Sequence, residues 1–179
     1  MPEKTLQGIP ASDGIAIGPA FRYIPTELTV PARAAESADE ELSRFDAARE
    51  QARVELQGLS DAIEKRAGKE EAAIFEAHRE MLNDPALEGR VRELVGSGQT
   101  AEQALVNATD ELAGLLAGMN DELFAARALD VKDVGRRILR VLLGLPDTAL
   151  GAVTEPSVII ASDLTPSDTA SLDPHLTLG

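Results

Sequence analysis

Cysteine is absent from this 179-residue sequence, and with it go disulfides, thiolate metal sites and a cysteine nucleophile. Tryptophan is absent too, and aromatics reach only 3%, which leaves little for a base-stacking platform or a sugar-stacking cleft. Two histidines occur, His78 and His175, too few for a histidine-rich metal centre. Basic residues number 17 against 31 acidic ones, a net charge of −14 that argues against a reader of phosphate backbones. No segment approaches the roughly eighteen apolar residues of a membrane span. Met1–Gly8 leads into no apolar run of the kind a secretory signal carries. Phosphate loops of the G-x-x-x-x-G-K-[ST] kind are missing, and neither histidine lies near a nucleophile elbow. The expectation is an acidic, soluble, cytoplasmic protein that binds neither nucleic acid nor membrane.

What is present falls into three textures. Residues 1–35 hold Pro2, Pro10, Pro19, Pro25 and Pro31, which disfavour a long helix. Short strands are expected at Ala16–Ile17 and Ala20–Ile24, where β-branched and aromatic residues cluster. From Ser37 to Leu143 the chain turns to alanine, leucine, glutamate and arginine, the strong helix formers. Ser37-Ala38-Asp39-Glu40 has the form of a capping box. Beyond it Leu42, Phe45, Ala52, Leu56, Leu59 and Ile63 repeat at helical spacing, broken by Arg49, with Gly68 as a stop.

A second helical run covers Glu70–Asn83, and Asp84-Pro85 restarts it as cap and first residue. Gly96-Ser97-Gly98 ends that segment, and Thr100-Ala101-Glu102-Gln103 reads as a further capping box. Asn120 or Asp121 opens the last helix, along which Val131, Val134, Ile138, Val141 and Leu145 recur until Gly144 and Pro146 close it. Short loops between amphipathic helices favour antiparallel neighbours. Residues 146–179 return to the first texture. Ser157–Ala161 reads as a strand buried on both faces, Thr165 or Ser167 as the cap of a short helix, and Leu176–Gly179 as another strand opening. The fold class expected is mostly α within α+β. A four-helix-type bundle (36–145) is inserted into an incomplete α/β unit made of 1–35 and 146–179.

Few side chains here carry chemistry by themselves. His175, in Asp173-Pro174-His175, reads as a solvated turn residue. Glu71, His78 and Met81 fall along one stripe of a helix, beside the apolar Phe75 and Leu82. Taken alone, the residues favour His78 as a boundary position next to the core; the functional reading makes the stripe a docking surface. Between Glu70 and Glu88 six acids meet one base, a face that would steer a basic partner but is commonly just solvated. On the last helix, Arg136, Arg137 and Arg140 would complement the helix dipole. Arg127 and Lys132 lie earlier, and either pair with Asp130 and Asp133 or contact a partner.

Four stretches, in order, then resemble one family. They are Gly8–Ala20 (GIPASDGIAIGPA), Ala73–Asp84 (AIFEAHREMLND), Asp130–Arg140 (DVKDVGRRILR) and Ala161–Ala170 (ASDLTPSDTA). Together they resemble the amino-terminal part of Enzyme I of the bacterial phosphotransferase system, the phosphoenolpyruvate–protein phosphotransferases. The resemblance implies a helical subdomain that docks the phosphocarrier HPr, inserted in an α/β phosphohistidine domain. It implies docking residues at Glu70, Glu71, His78, Met81, Leu87, Arg127 and Lys132, and places Thr169 beside the phosphoacceptor. The family's acceptor lies in Gly-Gly-x-Thr-Ser-His, a string that does not occur here. The resemblance puts that motif just past Gly179, so the chain alone is expected to bind the carrier without being phosphorylated and to hold no catalytic residue, metal or cofactor. Phosphoenolpyruvate and magnesium would belong to a carboxy-terminal barrel outside this chain. Two other readings stand beside this one: a free-standing helical adaptor, and a nitrogen-regulatory or carrier-fused relative of the same enzyme.

Overall fold

A computed structural model describes residues 9, 13–25, 27–119, 121–146 and 153–179. Among them, α1 (Ala38–Arg66), α2 (Lys69–Met81), α3 (Pro85–Gly96), α4 (Ala101–Ala117) and α5 (Glu122–Leu142) form the bulk. Strands β1 (Ala20–Arg22) and β2 (Val158–Ile160) and the short helix α6 (Pro166–Ala170) complete it.

Every bundle helix but α2 begins where a side chain satisfies its orphan amides. Ser37 and Glu40 form the full capping box of α1, with Ser37 N donating to the Glu40 carboxylate at 3.0 Å. Asp84 accepts from Ala86 N and Leu87 N while Pro85 sits in the first turn of α3, where a missing N–H costs nothing. Thr100 caps α4 by accepting from Gln103 N, and Asp121 caps α5 by accepting from Leu123 N. Gly68 adopts φ 114°, a left-handed-side conformation that reverses the chain between α1 and α2.

Cross-helix contacts give the topology. Ser60 donates to Glu76, Arg49 to Glu88 and Arg92 to Asp46. As position rises along α1 it falls along α2 and then α3, so these two helices together make one interrupted arm antiparallel to α1. Helix α4 turns back along α3, where Arg90 meets Glu111, and α5 returns along α4. The arms α1, α2–α3, α4 and α5 thus close a four-membered bundle, as the short loops predicted. Its core runs from Phe45, Ala52, Leu56 and Ile63 through Phe75, Leu82 and Val91 to Leu105, Val134 and Ile138. Arg49 interrupts the α1 stripe by laying its guanidinium 5.6 Å from the Phe45 ring centroid. At Gly135 α5 approaches α4 so closely that a Cβ would stand 2.5 Å from Thr109 Oγ1.

The ends of the chain are built differently. β1 pairs with β2 in parallel, Ala20 opposite Val158, and Thr177 bridges Ser157 to start a third strand. Three expectations need correction here. Ala16–Ile17 forms no strand, and Ile17 stands 90% exposed. The run at Ser157–Ala161 is not buried on both faces: only Val158–Ile160 is strand, and Ile160 is 52% exposed, because among the described residues no layer covers it. Leu145 does not extend the α5 stripe; the helix ends at Leu142, Gly144 turns with φ 65°, and Leu145 is left exposed.

Candidate functional site

The stripe singled out on α2 splits into surface and interior. Glu70 and Glu71 open the helix on its exposed side, where their charges also suit the positive end of the dipole. Met81 is half-buried against the core. Leu87, in the first turn of α3, is enclosed. His78 is not a boundary residue: its exposure is 0%, and no part of the ring reaches the surface. The period-3.6 pattern placed it beside the apolar face of α2; what encloses it is α5, whose position no local pattern reveals.

Helix α5 brings two carboxylates to that ring. His78 Nε2 lies 3.3 Å from Asp130 Oδ1 in a hydrogen bond, and Nδ1 lies 3.5 Å from Asp133 Oδ2 without forming one. Asp130 and Asp133 therefore turn inward instead of pairing with Arg127 and Lys132 along their own helix. Among the described residues neither of those two cations has a recorded ion pair, and both are exposed. They do not share a face. Five residues separate them by about 140° around the axis. Lys132 lines a cleft of about 270 Å³ with Val106, Thr109 and Asp110 of α4, on the far side of α5 from His78. Arg127 precedes Asp130 by one turn. Since α2 and α5 run the same way in the bundle, Arg127 stands level with Ile74, and Leu123 and Phe124 stand level with Glu70 and Glu71.

Exposed apolar side chains occur at these levels: Ile74, Leu123, Phe124 and, further along α5, Leu129. Sequence reasoning passed over them because apolar positions on a helix are by default assigned to the core. Of these only Leu129 carries a signal in the sequence, its offset around the helix from the stripe of Val131, Val134 and Ile138; Leu123 and Phe124 continue that stripe toward the start of α5, where they are left exposed. The basic end of α5 also differs from expectation. Arg137 and Arg140 reach across to Glu55 of α1, so a tertiary ion pair, more than the helix dipole, holds them.

Thr169 is exposed on α6, and its hydroxyl donates to Thr165 O at 2.8 Å. Thr165 and Asp168 form the capping box of that helix. Tyr23, just after β1, donates its phenol to Asp168 at 2.8 Å, and Arg66 at the end of α1 donates to Leu172 O. Ser167 Oγ donates to Asp133 Oδ2 at 2.9 Å. The short helix is thus tied to both the strands and the bundle. His175 is an exposed turn residue, as read from its neighbours. Among the described residues no three His, Asp or Glu side chains are grouped to hold a metal ion, and no helix is long and apolar enough to cross a membrane.

A second charged cluster lies at the opposite end of the bundle and was not legible beforehand. Arg33 bridges Glu41 and Glu102, Arg44 contacts the same two carboxylates, and Ala101 N donates to Glu41 at 2.9 Å. Glu41 and Glu102 are 0% and 2% exposed. The hydrogen bond from Arg33 holds Glu41 well below the usual carboxylate range against the opposing effect of burial. For Glu102, burial raises the value, but the bonds from Arg44, the backbone and Arg33 outweigh it and the net shift is downward. With every oxygen engaged, this cluster is a structural clamp at the starts of α1 and α4.

Residues 7–127 match the family described as "PEP-utilising enzyme, N-terminal". The chain belongs to that family. Phosphoenolpyruvate-protein phosphotransferase of Listeria monocytogenes is 40% identical over 98% of this chain and 31% of its own length. The multiphosphoryl transfer protein of Rhodobacter capsulatus is 39% identical over 98% of the chain and 21% of its length. The chain therefore spans about a third or less of these curated relatives. Among solved structures, an Enzyme I solution structure matches with TM-score 0.78 and 37% identity, covering 94% of this chain and 69% of that one. The N-terminal domain of the nitrogen form of Enzyme I matches with TM-score 0.66 and 25% identity, covering 90% and 67%. The family resemblance read from four short stretches, and the mostly helical fold class, are thereby shown.

Proposed function

We propose that this chain is the carrier-docking amino-terminal part of a phosphoenolpyruvate–protein phosphotransferase. In this reading the helical segment 36–145 recruits the phosphocarrier HPr, and 1–35 with 146–179 contribute the α/β unit on which phosphohistidine chemistry occurs. The observation that carries it is the Enzyme I fold extending over 94% of the chain. The exposed chemistry of α2 and α5 supports it. Glu70 and Glu71 supply an acidic rim that speeds encounter with a basic partner, Met81 with Ile74, Leu123 and Phe124 supplies apolar contact, and Arg127 supplies a cation. His78 and Leu87 act from beneath that surface, holding its shape. Lys132, on the α4 side, is the docking assignment this geometry favours least.

No Gly-Gly-x-Thr-Ser-His string occurs in the sequence, so within this reading the chain receives no phosphate itself. Magnesium and phosphoenolpyruvate belong to the barrel of the longer enzyme. Titration of the isotope-labelled chain with HPr is expected to shift amides at 70–81 and 123–130 while leaving Lys132 little changed, with the shifts weakening as salt rises. Shifts centred on 40–60 would refute the docking face. Incubation with phosphoenolpyruvate and the complementary domain should leave the chain unlabelled; stable phosphohistidine on it would overturn the inactive assignment. The nitrogen-form match favours one further reading, a carrier dedicated to nitrogen regulation, which a parallel titration with that carrier distinguishes.

A further inference from the structure

The ring of His78 is a buried polar group with one of its two nitrogens unsatisfied. Nε2 is hydrogen-bonded to Asp130, but Nδ1 has no hydrogen-bond partner among the described residues, although Asp133 Oδ2 stands 3.5 Å away. An orphaned buried nitrogen is rare enough to call for an explanation. The same oxygen, Asp133 Oδ2, accepts the Ser167 hydroxyl at 2.9 Å, and Ser167 lies on α6 beside Thr169. One carboxylate oxygen therefore stands in contact with a fully enclosed side chain of α2 and accepts from a half-buried one of α6. Phe75 packs edge-on to the ring, 6.4 Å between centroids, and holds its plane.

We propose that His78 is a positioning residue: with Asp133 and Ser167 it forms a buried strut through which α2 holds α6 against the bundle. The chain of contacts is short and has no redundancy at its centre, since the Asp133 carboxylate is the one group common to both ends. The other ties on α6, from Tyr23 to Asp168 and from Arg66 to Leu172 O, come from the strand side and from α1. Neither touches α2. A displacement of α2 of a few tenths of an ångström would change the 3.5 Å separation between the enclosed ring and Asp133 Oδ2, and with it the placement of the oxygen that Ser167 uses. Interior packing transmits such small shifts because it does not deform continuously. The two ends of the strut are thus coupled in both directions. That the coupling links a docking surface to the segment bearing Thr169 rests on the function proposed above; the strut itself does not, and its test involves no carrier.

The test uses the whole chain in four variants: S167A, S167T, H78Q and S167A combined with H78Q. The readouts are the His78 ring ¹⁵N signals, the amide shifts and exchange rates at 165–172, and α1 and α4 amides as control. Removing the Ser167 hydroxyl is expected to move the His78 ring signals, one residue pair and a helix away. It should also raise exchange of the 167–172 amides about three- to tenfold, the scale of one net hydrogen bond. S167T, which keeps the hydroxyl, should restore both. H78Q should loosen the same α6 amides while leaving those of α1 and α4 unchanged, and the double variant should lose no more than either single one. Unchanged ring signals in S167A, or additive losses in the double variant, would overturn the strut. Should H78Q fail to fold, the ring signals in S167A and S167T decide the matter alone.

Discussion

The helical bundle and the joined chain ends respond to the same solvent with opposite solutions. In the bundle, four arms close on one another, and Phe45, Leu56, Leu82, Leu105 and Ile138 lose nearly all contact with water. At the ends, two strands of three residues pair across more than a hundred positions, and Ile15, Ile17, Ile24 and Ile160 remain exposed. The bundle is made of local hairpins, each arm packed against the next in sequence. The paired strands must close a long loop before any contact rewards it, and so small a sheet buries little apolar surface in return. What holds the ends is instead polar: the capping box of α6, Tyr23 on Asp168, Ser167 on Asp133 and Arg66 on Leu172 O.

This contrast can be broken most forcefully at the clamp of the bundle. Glu41→Gln takes from Arg33 and Arg44 one of their two carboxylate partners and from Ala101 N its charged acceptor, and is expected to cost about 3–5 kcal/mol by urea unfolding. A loss below about 1 kcal/mol would show the clamp to be decorative. Its acid dependence follows from the same groups. The folded values of Glu41 and Glu102 are depressed, so their contribution is complete above the unfolded carboxylate value of about 4.3 and disappears as pH falls through the lower folded values. Thermal scans should show stability falling below about pH 4.5, and falling less steeply in the Glu41→Gln protein.

A smaller effect tests the close approach of α4 and α5. Gly135→Ala pushes a methyl group into Thr109 and should cost about 1–3 kcal/mol in urea unfolding, with strand amides unaffected in native-state exchange. Smallest of all, Thr165→Ala removes the α6 cap at a cost of about 0.5–2 kcal/mol that is confined to the ends. Exchange at 166–172 should quicken while the unfolding midpoint of the bundle stays in place. A common shift of both regions would mean that they unfold as one unit.

Much of the bundle was legible beforehand because helix boundaries are local events. Ser37, Asp84, Thr100 and Asp121 cap where the side-chain chemistry placed them, and the stripe on α1 is the face it buries. The site was less legible. Glu70, Glu71 and Arg127 are exposed as a docking role requires, whereas His78 is enclosed and Lys132 faces the other way around α5. Spacing identifies which side of a helix is apolar, but not which neighbour covers it. Nor does it say whether an acid three residues from a cation, as Asp130 is from Arg127, turns outward to meet it. Asp130 turns inward to the buried imidazole of α2 and Asp133 to the Ser167 hydroxyl of α6, partners absent from their own helix.

By itself the amino-acid sequence determined the family, the helical class and the ends of most helices, since motif strings and caps act over a few residues. It also excluded disulfides and thiolate ligands, since no cysteine occurs. Only the tertiary structure decided that Glu41 and Glu102 are clamped by Arg33 and Arg44, that His78 lies between two carboxylates, and that Asp133 reaches α6. Apart from the local pairs of Arg33 and Arg44 with Glu41, those contacts join residues about 30 to 70 positions apart in the chain. Their energies depend on burial and on angstrom-scale placement, quantities that arise only when the helices pack.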